Sequence, residues 1–141
     1  MSKPTLLVDF DGVIHSYSSG WQGAAVIPDP PVPGALPWLA RATEHWTIAV
    51  YSARSADPAG AAAMREYVAR HAALELGFEH PMAFASGSPV QFPDHKPAAL
   101  LTIDDRCVCF RGDWSALDPR ELLDFRPWNR PALTTADGTK P

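Results

Sequence analysis

The stretch TLLVDFDG, residues 5–12, decides the fold class. Its first four residues form a short run that is rich in branched side chains and apolar on both faces, a pattern typical of a buried strand in a parallel sheet. Two acids, Asp9 and Asp11, follow the run directly. The stretch therefore predicts a buried strand whose carboxyl end carries two carboxylates.

Similar apolar runs predict strands over residues 46–51 and 100–103, with a weaker strand over 82–85 and a short one over 107–110. Helices are predicted over 35–45, over 58–76 and briefly from Asp118. The second helix has the clearest boundaries, because Asp57 can cap it, Pro58 fits its first turn and Gly77 can end it. Alternating strands and helices predict an α/β fold with a mainly parallel central sheet. Right-handed crossovers are expected to place helices on both faces, which gives three layers.

The chain has 141 residues, of which 46% are hydrophobic and 20% charged, as in ordinary globular domains. We expect one domain over residues 1–126 and a partly disordered tail over 127–141. The formal net charge of −4 argues against a general basic surface for nucleic acid or anionic membranes. No apolar run approaches the roughly 18 residues that a membrane helix needs, so no membrane association is expected.

Two cysteines, Cys107 and Cys109, lie too close together in the chain for an ordinary disulfide. We expect buried free thiols and a reducing, cytoplasmic location. The first residues also lack the pattern of a secretory signal.

Residues 15–34 are rich in serine, glycine and proline and show no periodicity. A connection of this length is usually a lid, a binding loop or a disordered segment, and we interpret it as lid-like. Trp21, within it, could stack on a base, close a lid or pack against the sheet edge.

Polar groups follow three of the predicted strands: Asp9 and Asp11, then Ser52, then Asp104 and Asp105. Parallel sheets bind ligands beyond the carboxyl ends of their strands. Carboxylates gathered there repel one another unless protons or a cation compensate, and Mg²⁺ prefers such oxygen ligands. Lys96, just before the last strand, could bind a phosphate oxygen, as could Ser52. The set suits phosphoryl transfer, with an aspartate as nucleophile and the acid two residues later moving protons.

These residues resemble the four motifs of the haloacid dehalogenase-like hydrolases, in order. The first is similar to residues 8–13 (VDFDGV), the second to residues 48–52 (IAVYS), the third to Lys96 and the fourth to residues 102–105 (TIDD). The resemblance covers the chain from Thr5 to Arg106 and implies a three-layer, Rossmann-like fold.

The resemblance also implies roles. Asp9 would be the nucleophile and a Mg²⁺ ligand, and Asp11 the general acid/base, giving the metal its backbone carbonyl. Asp105 would be a direct ligand, with Asp104 close behind. Ser52 and Lys96 would bind the phosphoryl group. The second acid of the first motif favours a phosphatase over a dehalogenase.

The spacing between the motifs leaves no room for a large cap domain. Capless family members often act on large substrates or close the site by homo-oligomerisation. Residues 52–54 and 103–106 also resemble the phosphatase domain of polynucleotide kinase-phosphatases. The expected substrate is therefore a phosphomonoester: a small metabolite, a nucleotide or a nucleic-acid end.

Several alternatives stay open. Arg54 and Arg106 could contact substrate or pair with the acids of the site, and His15 could face the pocket or be a satisfied loop histidine. The chain could also be a non-catalytic phosphate-binding domain or a receiver-like signalling domain. A receiver, however, carries its pair of adjacent acids after the first strand. Here the adjacent acids, Asp104 and Asp105, follow the last of the main predicted strands.

Overall fold

The computed structural model describes residues 2–130, and these form two compact units that divide between Asp104 and Asp105. The first unit contains a four-stranded, all-parallel sheet in the order β3-β2-β1-β4. The regular elements are β1 (Thr5–Val8), α1 (Ala35–Ala42), β2 (Thr47–Val50), α2 (Pro58–Leu76), β3 (Val90–Gln91) and β4 (Leu101–Ile103). The chain thus has the α/β architecture with a parallel sheet that its sequence predicts.

The predicted buried strand β1 lies at the centre of the sheet. Leu6 pairs with Ile48 of β2 on one side and with Leu101 of β4 on the other. All three apolar residues from Leu6 to Val8 are buried. The carboxyl ends of β1 and β4 therefore lie side by side, which places the acids that follow them at one edge.

Helix α2 begins and ends at the predicted residues. Asp57 accepts a hydrogen bond from the backbone amide of Ala59 at 2.9 Å, Pro58 occupies the first turn, and Gly77 ends the helix with a φ of 105°. Met64, Tyr67 and Val68 lie on its buried face, whereas Leu74 in the last turn is largely exposed.

Both helices of the first unit lie on one face of the sheet. The connections β1–α1–β2 and β2–α2–β3 run in the same direction across the sheet, and α1 contacts α2. One core contains Leu6, Val8, Ile48 and Val50 together with the inner residues of both helices. The expectation that these helices cover both faces is therefore wrong, because successive right-handed crossovers in one direction stay on one side.

The strand predicted over residues 82–85 is also wrong. Pro81–Ala83 forms a 3₁₀ helix, whose first turn is closed by the His80 ring, which accepts a hydrogen bond from the amide of Met82 at 3.1 Å. The third strand is instead Val90–Gln91, which is too short for its pattern to be recognised.

In the second unit, residues 105–130 contain two 3₁₀ helices, Trp114–Ala116 and Glu121–Asp124. The second replaces the short helix expected from Asp118. Residues 107–110 are not a strand, and Cys107 and Cys109 are exposed rather than buried and form no disulfide with each other. Residues 131–141 of the predicted tail lie outside the described part of the chain. No helix within residues 2–130 is long and apolar enough to cross a membrane.

Candidate active site

The acids that follow β1 and β4 come together. The amide of Asp9 donates to the carbonyl of Ile103 at 2.9 Å, which extends the pairing of the two strands by one residue. Asp104 follows Ile103 directly, and Asp105 is peptide-bonded to Asp104. One carboxylate oxygen from each of Asp9, Asp104 and Asp105 lies within 4.8 Å of the others.

Asp105 is the acid of this cluster whose surroundings best fit a cation. Its side chain is only 2% exposed, and neither carboxylate oxygen accepts a hydrogen bond from any described residue. The Nε atom of Arg106 stands 3.6 Å away, so the two groups form an ion pair without a hydrogen bond. A buried carboxylate is costly unless it is compensated, and a hard divalent ion would supply that compensation. The three oxygens therefore fit Mg²⁺.

Asp11 lies in a tight turn beside this cluster. The carbonyl of Phe10 accepts hydrogen bonds from the amides of Val13, Ile14 and His15, and Gly12 adopts a φ of 81° that favours glycine. The turn directs the chain away from the sheet directly after β1. It places the side chain of Asp11 against Arg54, which is a cation, and against His15, which is a cation when protonated.

Two side chains donate to the Asp11 carboxylate. The Nδ1 atom of His15 lies 2.8 Å from Oδ1, and the Nε atom of Arg54 lies 2.9 Å from Oδ2. Burial favours the neutral acid, but the hydrogen bonds from His15 and Arg54 outweigh burial and hold the pKa of Asp11 below its ordinary value. These two hydrogen bonds therefore favour the carboxylate form of Asp11.

Arg54 is fully buried and connects Asp11 to the 15–34 segment. Its Nη1 atom donates to the carbonyls of Gly23, Ala24 and Val26 at 2.7–3.0 Å. The indole of Trp21 lies over the guanidinium, with 4.7 Å between Cζ and the ring centroid. One buried cation thus orders the middle of a segment that has no helix and no extended strand.

His15 orders the base of the same segment. Its Nε2 atom accepts a hydrogen bond from the amide of Asp29 at 3.1 Å, so in the neutral ring Nδ1 carries the proton and donates to Asp11. Asp29 in turn accepts from the amide and hydroxyl of Ser19 at 2.8 and 2.5 Å. The Tyr67 hydroxyl donates to the carbonyl of Asp29 at 2.8 Å, which joins the segment to α2.

Ser52 and Lys96 are the two residues expected to bind phosphate. Within residues 2–130, neither forms a hydrogen bond or an ion pair with the acids of the site. Ser52 follows β2 and is nearly buried, but its Oγ accepts from the amide of Arg54 at 3.0 Å and donates to the sulfur of Met64 at 3.3 Å. Lys96 lies on an exposed loop before β4.

Sequence reasoning missed Asp29 and Tyr67. An acid between two prolines, as in residues 28–30 (PDP), is a local sign of a fixed turn. Nothing in the sequence indicates its partners, because they lie 10 to 38 residues away.

Comparison with known proteins adds no relative: no protein-family model, no curated protein and no solved structure matches the chain.

Proposed function

We propose that the protein is a Mg²⁺-dependent phosphomonoester hydrolase of the haloacid dehalogenase-like type, with a Rossmann-like fold and no large cap domain. The observation that carries the proposal is the cluster of Asp9, Asp104 and Asp105 at the adjacent carboxyl ends of β1 and β4. A parallel sheet binds ligands at this edge, and the sequence motifs carry the same acids there.

Asp9, Asp104 and Asp105 would hold the Mg²⁺ ion, together with the backbone carbonyl of Asp11. Bound there, the ion neutralises charge on the phosphoryl oxygens. In the proposed reaction a carboxylate oxygen of Asp9 attacks phosphorus and the ester P–O bond breaks. The leaving alkoxide takes a proton from Asp11.

Hydrolysis of the aspartyl phosphate completes the cycle. Asp11, now a carboxylate, takes a proton from the water molecule that attacks phosphorus. Inorganic phosphate leaves, Asp9 is restored, and the proton on Asp11 serves the next turnover. The hydrogen bonds from His15 and Arg54 favour the carboxylate and therefore suit this second step better than the first.

Ser52 and Lys96 would contact the phosphoryl oxygens. For this, the Ser52 hydroxyl proton turns from the sulfur of Met64 to the substrate, and Lys96 moves in from its exposed loop. A reducing, cytoplasmic location stays part of the proposal, since two exposed cysteines that form no disulfide with each other are compatible with it.

The test is steady-state hydrolysis of p-nitrophenyl phosphate by metal-free protein, with and without added Mg²⁺. We expect turnover only with the metal and background rates for Asp9→Asn. Asp11→Asn keeps the nucleophile and should release a burst of p-nitrophenol, because this leaving group needs little protonation. Phosphate should then accumulate on Asp9, visible as a mass increase of the intact protein. Asp94→Asn, an equivalent change on an exposed loop, is the control. Near-normal turnover by Asp9→Asn would show that the assigned nucleophile is wrong.

A second candidate is a Mg²⁺- and phosphate-binding domain without turnover. The engaged hydroxyl of Ser52 and the exposed position of Lys96 favour it, because the phosphate-binding pair is not preorganised. Mg²⁺-dependent binding of inorganic phosphate, measured by calorimetry, combined with no hydrolysis of any phosphomonoester, would support this candidate.

A further inference from the structure

Trp21 stands beside the acid that would protonate the leaving group. Arg54 joins them, because one guanidinium both donates to Asp11 through Nε and lies beneath the Trp21 indole. All three side chains belong to the first unit. A single guanidinium therefore contacts both the Trp21 indole and the Asp11 carboxylate.

One face of the indole remains available. Trp21 is 51% exposed although the guanidinium lies against its ring. The Nη2 atom of Arg54 is buried and has no hydrogen-bond partner among residues 2–130, and its guanidinium lies against the face of the Trp21 ring. Arg54 thus contacts the ring, while about half of the Trp21 side chain stays accessible to solvent.

The contact with Arg54 makes the Trp21 ring a preorganised surface. Arg54 is held by Asp11 and by three backbone carbonyls of the 15–34 segment, so little conformational freedom remains for Trp21 to lose on binding. An aromatic ring that is held in place stacks on flat ring systems and gains less from puckered aliphatic rings.

We propose that Trp21 is a specificity-determining residue that stacks on the leaving group, and that the substrates are phosphate esters whose alcohol part carries a flat aromatic ring. This inference rests on the proposed function, because Asp11 defines the side from which the alcohol leaves. It adds the chemical class of that alcohol.

The test compares benzyl phosphate with cyclohexylmethyl phosphate. Both are esters of primary alcohols with a six-membered ring, so they differ mainly in the flatness of that ring. We expect wild-type protein to prefer benzyl phosphate in kcat/KM, mainly through KM. Trp21→Ala should reduce this preference about tenfold, within the range of base–aromatic stacking. Trp21→Phe should keep most of it, whereas Trp21→Leu, which retains an apolar side chain but no ring, should not.

Trp38→Ala is the matched control. Trp38 is a 41% exposed tryptophan on α1 that lines an apolar cavity of about 290 Å³ containing none of the acids of the site. The preference should be unchanged in this variant. An unchanged preference in Trp21→Ala, or an equal loss in Trp38→Ala, would overturn the proposal.

Binding of benzylphosphonate, which cannot be hydrolysed, separates the two proposals. Calorimetry with Mg²⁺ should show about tenfold weaker binding to Trp21→Ala than to wild type, and no such difference for cyclohexylmethylphosphonate. If no phosphate ester is hydrolysed but this difference holds, the proposed catalysis fails and the stacking stands. If esters are hydrolysed and Trp21→Ala binds both phosphonates like wild type, the stacking fails alone. No binding of benzylphosphonate to the wild type would overturn the stacking proposal as well.

Discussion

Two loops of the first unit contain the same pair of side chains in opposite surroundings. In the 15–34 segment, His15 is fully buried between Asp11 and Asp29. In the 93–100 segment, His95 lies 2.7 Å from Asp94, but the two side chains are 82% and 83% exposed. The difference in burial leads us to expect that the buried contacts of His15 stabilise their loop more than the exposed contact of His95 does. Exposed pairs contribute little, whereas a broken buried pair leaves an uncompensated charge.

Arg54→Ala should have the largest effect on stability. It removes the only side chain that bonds both Asp11 and residues 23–26 in the part of the chain that the structure describes. Breaking a buried ion pair typically costs about 3–5 kcal/mol, a large share of the free energy of unfolding of a small domain. Urea denaturation measures this loss. Arg54→Lys should restore only part of the lost stability, because an ammonium group cannot reproduce the planar arrangement of N–H donors in a guanidinium. A loss below about 1 kcal/mol would mean that the two loops are held equally weakly.

His15→Phe should have the next largest effect. Phenylalanine keeps the ring contacts with Phe10 and Tyr67 but removes both hydrogen bonds of the imidazole. Leaving the buried amide of Asp29 without an acceptor costs about 1–3 kcal/mol. His95→Phe in the exposed pair is the matched control for the same denaturation experiment. Equal effects of the two changes would remove the distinction between the loops.

Acidification should weaken the buried network. Burial alone would raise the pKa of Asp29, but its hydrogen bonds from Ser19 lower that pKa below the ordinary value of 3.8. The stabilisation is therefore present above the unfolded-state pKa and is lost as the pH falls through the lower folded-state value. We expect the Tm to fall between about pH 5 and pH 3, and to fall less in Asp29→Asn. An identical pH dependence in the variant would contradict this assignment.

Asp94→Asn should have the smallest effect. The hydrogen bond from His95 lowers the pKa of Asp94, but both side chains are almost fully in water, so solvent screens the pair. The Tm of this variant and its dependence on pH should match wild type within error. A Tm shift comparable to that of His15→Phe would show that the 93–100 segment is ordered by its own pair.

Local sequence patterns predicted those secondary-structure elements that depend on residues close together in the chain. The β1 and β2 runs, the Asp57 cap and the Pro58 start of α2 all act within a few residues, and the structure confirms those elements. The strand expected over 82–85 failed because the ring of His80 and Pro81 together start a 3₁₀ turn there.

In the candidate site, too, the sequence predicted local features but not the contacts between residues far apart in the chain. The sequence named Asp11, His15 and Arg54 as candidates. It left open whether His15 would face the pocket or be a satisfied loop histidine, and whether Arg54 would meet substrate or an acid. For Arg54 the answer depends on a contact across 43 residues, which no local pattern encodes. The roles of all three in catalysis stay predictions.

The central position of β1 has a consequence for synthesis on the ribosome. The strand made first pairs with β2 and also with β4, whose residues emerge about 95 positions later. Pairings of such long range are slow, and the unpaired edge of β1 is exposed to aggregation until they form. Asp9 can meet Asp104 only at that last step. A nascent chain therefore acquires its tightest acidic cluster and its complete sheet together, and a chaperone that shields the edge of β1 should raise the yield of both.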